Sequence, residues 1–142
     1  MSEVEAWIEE AAVGLGLKVE RLEKRAATDV VDSLRERYVR GNPRAWWLDL
    51  AVPFTKYDSS NLSLSSVLPS IEGTAFLIPE IDGEELPVYK VSAAALERLM
   101  AECPYFEYYV AGAMLEWLVI ESDHNVFFVC VDKPSTLNLA HQ

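Results

Sequence analysis

Hydrophobic and polar residues alternate most regularly in the second half of the chain, between Pro104 and Cys130. β-branched and aromatic residues dominate this stretch, and turn-forming residues break it twice. The pattern predicts three consecutive antiparallel strands, a meander. The strands are predicted at residues 106–111, 115–122 and 126–131. Both sides of the second strand are apolar near its middle, so we expect this strand at the centre of a sheet that is covered on both faces.

Two short links join these strands. Gly112 begins the first link, where a tight turn can need a positive φ. The second link, residues 122–125, contains Ser, Asp and Asn, which bond their own backbone or tolerate the left-handed region.

Helical spacing of apolar residues characterises the beginning of the chain. Ser2 and Glu5 match a capping box, and an apolar stripe follows until Gly14 and Gly16 end the helix. Residues 17–27 fit either a second helix or an extended segment.

A clearer helical pattern begins at Thr28 or Asp29, either of which can cap the helix. Gly41-Asn42-Pro43 ends it. Its outer side and the residues just beyond carry a basic cluster of Arg35, Arg37, Arg40 and Arg44. This cluster fits internal ion pairs with the acidic half of the chain, or an anion site.

The middle of the chain gives weaker patterns. Residues 45–50 are predicted to form a strand, whose adjacent tryptophans Trp46 and Trp47 would point to opposite faces. Residues 57–73 contain six serines and are interpreted as a flexible flap, with the alternation at 62–65 as an alternative edge strand.

A hairpin and a third helix precede the meander. Residues 74–81 and 86–91 flank Asp82-Gly83-Glu84-Glu85, in which Asp-Gly is a strong hairpin signal. The helix is predicted to start with Ser92 as N-cap and to end at Pro104.

The order of these elements predicts an α+β fold, because regular β-α-β alternation is missing. About three helices pack on a mainly antiparallel sheet of five or six strands. A length of 142 residues fits a single domain, 1–142, with a helical part at 1–41, a sheet with one inserted helix at 44–131 and a tail at 132–142.

Charge is distributed unevenly along the chain, whose net charge is −11. Residues 1–71 contain 11 acidic and 9 basic residues, whereas residues 72–142 contain 12 acidic and 3 basic residues. The second half should repel phosphate backbones, so we expect no nucleic-acid binding. A basic protein is its electrostatic complement, although solubility alone also explains an acidic surface.

Composition also bounds the environment of the protein. No apolar run approaches the roughly 20 residues of a membrane-spanning helix, and the acidic beginning of the chain differs from a secretory signal. Cys103 and Cys130 are too few and too far apart for a disulfide scaffold or a zinc cage. We therefore expect a cytoplasmic protein with no membrane partner and no cofactor; the sequence does not indicate an oligomeric state.

The candidate chemistry lies where the meander turns. Glu121, Asp123 and His124 converge at a strand end, and Glu107 begins the neighbouring strand. A carboxylate beside a histidine can form a general base, and two carboxylates with one histidine can bind a divalent metal. Turn chemistry alone also explains these residues. For binding without catalysis, the candidates are Glu107, Tyr109, Glu121 and His124.

The run PYFEYYV, followed by LEWLVIESDHN, resembles a family of uncharacterised bacterial proteins known only as a domain of unknown function. In that family a Glu-Tyr-Tyr strand precedes a Trp-Leu strand and an acidic, histidine-bearing turn. The matching positions are Glu107, Tyr108, Tyr109, Trp117, Leu118, Glu121 and His124. The family turn tends to carry two histidines, whereas Asp123 precedes His124 here. The resemblance covers roughly residues 104–126 and implies no activity.

Helices followed by a mostly antiparallel sheet are also similar, at the level of the fold, to small bacterial immunity proteins, which neutralise toxins by surface complementarity. Two functional hypotheses result. The first is a non-catalytic protein-binding domain of immunity or regulatory type. The alternative is a small enzyme or metal-dependent hydrolase that uses Glu107, Glu121, Asp123 and His124. The first is preferred because the sequence has no phosphate-binding glycine loop, nucleophile elbow or helical zinc motif.

Overall fold

The computed structural model describes residues 2–81 and 85–132. Within these ranges the chain forms an antiparallel sheet of seven strands. The strands are β1 Glu20–Arg21, β2 Thr55–Asp58, β3 Thr74–Pro79, β4 Tyr89–Ser92, β5 Tyr108–Gly112, β6 Trp117–Ser122 and β7 Val126–Val131. Their order across the sheet is β1-β4-β3-β5-β6-β7-β2. The α+β class and the antiparallel sheet are therefore confirmed, with more strands than predicted.

Helices cover both faces of the sheet. They are α1 Glu3–Leu15, α2 Lys24–Tyr38, α3 Leu64–Val67 and α4 Leu96–Ala101. The first face packs against α1, α3 and α4 and contains the side chains of Trp117 and Val119. The second face packs against α2 and contains Leu118 and Ile120. Strand β6 is thus buried on both sides, as predicted, although the middle of the seven strands is its neighbour β5.

The capping box of α1 is present. The Glu5 backbone N–H donates to the Ser2 hydroxyl at 3.2 Å, and the Ser2 backbone N–H donates to Glu5 Oε1 at 3.0 Å. The carboxylate of Glu5 also pairs with Arg21 of β1, which lies at the sheet edge. The helix start is therefore tied to the sheet, and Glu5 is buried.

Residues 17–27 combine an extended part with the first turn of a helix. Strand β1 pairs with β4, and the Leu22 N–H donates to the Val88 carbonyl at 2.9 Å in continuation of this pairing. Helix α2 then begins at Lys24, earlier than the predicted cap at Thr28 or Asp29. Pairing with a distant strand, not local capping, sets this boundary.

The predicted strand at residues 45–50 is wrong. Trp46–Leu48 form a short 3-10 helix instead. The Trp46 ring stacks on Tyr109 with centroids 4.1 Å apart, and the backbone N–H of Trp46 donates to the Tyr109 hydroxyl at 3.2 Å. Trp47 packs against the same cluster on the second face of the sheet, so the two tryptophans do not point to opposite faces. Tyr109 therefore holds residues 46–48 against the face of the sheet, where they do not pair with a strand.

Residues 57–73 also differ from the prediction. The edge strand of this region is β2, which pairs with β7, and residues 64–67 form the short helix α3 instead of part of an edge strand at 62–65. Leu64 and Val67 are buried on the first face, which fixes the segment on the sheet. This serine-rich stretch therefore packs on the sheet and does not form the predicted flap.

The hairpin and the third helix are confirmed in outline. Strands β3 and β4 pair antiparallel, with Leu77 opposite Tyr89, but β3 ends at Pro79 and β4 begins at Tyr89, so both strands stop short of the predicted turn at 82–85. Residues 82–84 of that turn lie outside the described residues. The third helix begins as a 3-10 turn at Ala93–Ala95 and continues as α4, and Ser92 makes no side-chain capping bond.

One of the two turns of the meander has its positive φ at the predicted kind of residue, and the other does not. Asn125 has a φ of 60°, as its turn chemistry suggests. In the first link, Leu115 adopts the positive φ instead of Gly112, which remains in β5. A Cβ at Gly112 would lie 2.7 Å from Trp117 Nε1, so glycine is needed there for space. The predicted tail after Asp132 lies outside the described residues.

Candidate functional site

Acidic side chains gather at one end of the sheet. The register places the end of β3, the start of β5 and the end of β6 side by side, with Tyr108 opposite both Pro79 and Glu121. The β6–β7 turn lies at the same end. We call this end, defined by Glu80, Glu107, Glu121 and Asp123, the acidic end.

Glu107 is held in place by two hydrogen bonds. Its Oε2 accepts from the indole Nε1 of Trp47 at 3.2 Å and from the backbone N–H of Asp123 at 3.3 Å. Trp47 is in the segment that crosses the second face, and Asp123 is in the β6–β7 turn. One carboxylate thus links three segments that are far apart in sequence, and its position is fixed before any ligand arrives.

His124 lies at the tip of the same turn. Its ring meets the Trp47 ring edge to face, with centroids 5.3 Å apart and planes at 84°. Its Nε2 is 3.4 Å from Asp123 Oδ1, and both side chains are more than half exposed. The backbone N–H of His124 donates to the Ser122 hydroxyl at 3.3 Å. Asp123 and His124 therefore form an exposed polar pair beside an indole, within reach of a macromolecular surface.

Glu121 is separated from this group by the sheet itself. It is the cross-strand neighbour of Tyr108, whose ring belongs to the first face, and its Oε1 accepts from the Tyr108 hydroxyl at 2.6 Å. Burial first, and the nearby Glu121 carboxylate second, raise the pKa of Tyr108 well above its usual value, so this tyrosine is a hydrogen-bond donor. The Tyr105 hydroxyl donates to the Glu121 carbonyl at 3.4 Å, and Tyr105 is 54% exposed.

Tyr109 is a core residue. It is 1% exposed, so it cannot itself contact a partner. Burial, and next the Glu80 carboxylate to which its hydroxyl is hydrogen bonded, raise the pKa of Tyr109 above its ordinary value. Of the sequence candidates, the structure therefore brings Glu107, Asp123 and His124 together on the second face, places Glu121 on the first face, and buries Tyr109 between the sheet and Trp46.

Part of the basic cluster forms internal ion pairs. Arg37 Nη1 is 3.4 Å from Asp132 Oδ2, and Arg40 Nη1 is 3.4 Å from Asp49 Oδ1. Arg35 donates to the Asn42 side chain. Arg44 lines an open cleft of about 680 Å³ between α2 and the ends of β3 and β4, together with Arg35, Asp32, Trp46, Glu80 and Glu85. Sequence reasoning missed this cleft because it forms only when residues 28–46 meet residues 80–86, which are distant in the sequence.

The metal-site hypothesis needs several ligands around one point. In the ranges 2–81 and 85–132, no group of three or more His, Cys, Asp and Glu side chains could hold a metal ion. In the same ranges no helix is both long enough and apolar enough to cross a membrane. Neither a protein-family model nor a curated protein matches the chain.

Proposed function

We propose that the protein is a non-catalytic protein-binding domain that engages a basic partner protein through its acidic end. The observation that carries this proposal is that Glu107, Glu121 and Asp123 all lie at one end of the sheet. Glu107 and Asp123 lie there on the second face next to Trp47, and Glu121 lies on the first face next to Tyr105.

Aromatic rings next to fixed charges are typical of protein interfaces. Tyrosine and tryptophan are enriched among the residues that dominate binding energy, and charges around them provide specificity and speed association. Tyr105 is 54% exposed, and Trp47 is partly exposed beside the His124 ring. A partner with lysine or arginine side chains around an apolar contact would complement this arrangement.

Orientation of the carboxylates also supports binding. Glu107 is fixed by Trp47 and by the Asp123 N–H, and Glu121 is fixed by Tyr108. Groups that are already ordered lose less conformational entropy when a partner binds. A regulatory or immunity-type role, in which such a surface blocks a basic protein, is the functional class that we propose.

The test uses a defined basic probe, an oligo-arginine peptide, titrated into isotopically labelled protein at about 0.1 M salt. We expect amide shifts confined to residues 105–108 and 121–125. The triple variant Glu107→Gln/Glu121→Gln/Asp123→Asn should bind the peptide about tenfold more weakly, because three charge contacts are lost.

A matched control removes the same charge elsewhere. Glu36, Glu72 and Glu116 are exposed; Glu72 and Glu116 lie just before β3 and β6, at the opposite end of the sheet. The triple variant with glutamine at these three positions should keep the affinity within about twofold, given screening over a Debye length of about 10 Å at 0.1 M salt. Equal losses in both triple variants would show an effect of net charge alone and would refute the proposed site.

A further inference from the structure

Strand β2 forms one edge of the sheet. It pairs with β7 on one side only, and all four of its residues are exposed. Large exposed apolar side chains concentrate around it, with Phe54 42%, Tyr57 39% and Leu62 40% exposed. An exposed strand edge presents unpaired N–H and C=O groups that can pair with another chain.

Which backbone groups face outward follows from the register. Thr55 pairs with Val129 and Asp58 with Val126, and in the same register the Ser59 N–H donates to the Asn125 carbonyl at 2.9 Å. Inward and outward groups alternate along an antiparallel strand. Those of Thr55 and Tyr57 therefore point inward like those of Ser59, and those of Lys56 and Asp58 point outward.

We propose that two copies of the chain associate through β2, antiparallel to each other, with Tyr57 on the two-fold axis. The sheet then continues from one copy into the next. Lys56 lies opposite the partner's Asp58, and Asp58 lies opposite the partner's Lys56. Both positions carry outward N–H and C=O groups, so they form the hydrogen-bonded pairs of the new ladder. The Asp58 carbonyl already accepts from the Asn61 N–H at 3.2 Å, so it accepts from the partner's Lys56 N–H with its second lone pair.

Charge selects this register over its neighbours. An antiparallel pair with its axis on Lys56 would place lysine opposite lysine, and one with its axis on Asp58 would place aspartate opposite aspartate. An axis between two residues would set an outward group against an inward one. Like charges directly opposite each other destabilise a strand pair, and opposite charges stabilise it. Only the axis on Tyr57 gives two attractive pairs and a complete ladder.

The side chains are already placed for these contacts. The Lys56 Nζ lies 5.8 Å from the centre of the Phe128 ring, on the second face. The Asp58 carboxylate accepts from the Ser60 N–H at 2.8 Å and from the Asn61 side chain at 3.0 Å, which hold it in place. A carboxylate has about four acceptor sites, so it can still accept from a lysine. The two Tyr57 rings meet on the first face, where aromatic cross-strand pairs add stability.

Charged residues on an edge strand often serve to prevent pairing. Here the opposite signs at Lys56 and Asp58 disfavour most registers but favour one self-pairing, which makes a charge reversal decisive. Four strand residues give a small interface, so the dimer is expected to be weak. This proposal is independent of the acidic end.

The test is sedimentation velocity of the whole chain over a concentration series at about 0.15 M salt, where the Debye length is about 8 Å. The wild type should show a reversible monomer–dimer equilibrium. Lys56→Asp and Asp58→Lys should each weaken it about tenfold or more, because both cross-strand pairs become repulsive. An equimolar mixture of the two variants should associate as tightly as the wild type, since every pair is again of opposite charge.

Net charge predicts a different result. Asp58→Lys makes the chain less negative than −11, so general repulsion between chains would decrease and self-association would increase. Damage to the turn held by Asp58 would not be rescued by mixing. A monomeric wild type, unchanged dimers in both variants, or failure of the mixture to associate would each overturn the proposal.

Discussion

Trp117→Ala measures how much the first face of the sheet contributes to stability. Trp117 begins β6, is 4% exposed, and packs in the cluster that α1, α3 and α4 cover. Replacing a buried tryptophan by alanine typically costs about 3–5 kcal/mol, a large part of the roughly 5–15 kcal/mol that stabilises a domain. With a urea m-value of about 2 kcal/mol/M, a loss of about 4 kcal/mol lowers the unfolding midpoint by about 2 M.

The assay is urea unfolding followed by far-ultraviolet circular dichroism, because this signal does not depend on the removed indole. Trp47→Ala is the control, since Trp47 is partly exposed and contacts His124 and Glu107 at the surface. Its midpoint should shift by less than about half as much, because less apolar surface is lost. A shift for Trp117→Ala below about 0.5 M, at an unchanged m-value, would refute the core assignment.

Two further substitutions test local features. Burial raises the pKa of Glu5, but the Ser2 hydrogen bonds and Arg21 outweigh it and hold this pKa below the usual 4.5. The ionised carboxylate therefore stabilises the fold above about pH 4.5 and loses this effect as the pH falls through the lowered pKa. In Glu5→Gln, the free energy of unfolding should fall less steeply as the pH is lowered below about 4.5. An unchanged slope would contradict this. Gly112→Ala should cost about 1–3 kcal/mol, because its Cβ would crowd Trp117, and an unaltered thermal midpoint would show that the site has room.

The sequence predicts the meander and the first helix because neighbouring residues alone determine these elements. Alternating apolar residues define β5 to β7, and the Ser2–Glu5 capping box defines the start of α1. Strands β1 and β2 carry no such signal. Their residues are polar or exposed, and each exists only through pairing with a strand about 70 positions away. A seven-stranded sheet could therefore not be counted from the sequence.

In the candidate site too, contacts between neighbouring elements were predicted and long-range contacts were missed. The sequence predicts that Glu107, Asp123 and His124 lie together, and they do. Asp123 and His124 share the β6–β7 turn, and the pairing of β5 with β6 brings Glu107 to it. Alternation along β6 also places Glu121 on the other face, yet the predicted constellation grouped it with them. Trp47 was missed as a site residue. Its contact with Glu107 spans 60 positions, and the double tryptophan suggested a strand where Tyr109 instead supports a 3-10 turn.

Helices α1 and α2 are adjacent in the sequence but lie on opposite faces of a sheet whose other strands come later in the chain. During synthesis, both helices leave the ribosome before the strands that cover them. Elongation at about 5–20 residues per second separates residue 38 from residue 131 by about 5–20 s. For that time the apolar sides of both helices have no complete sheet to pack against, and apolar surface exposed in this way favours aggregation of the nascent chain.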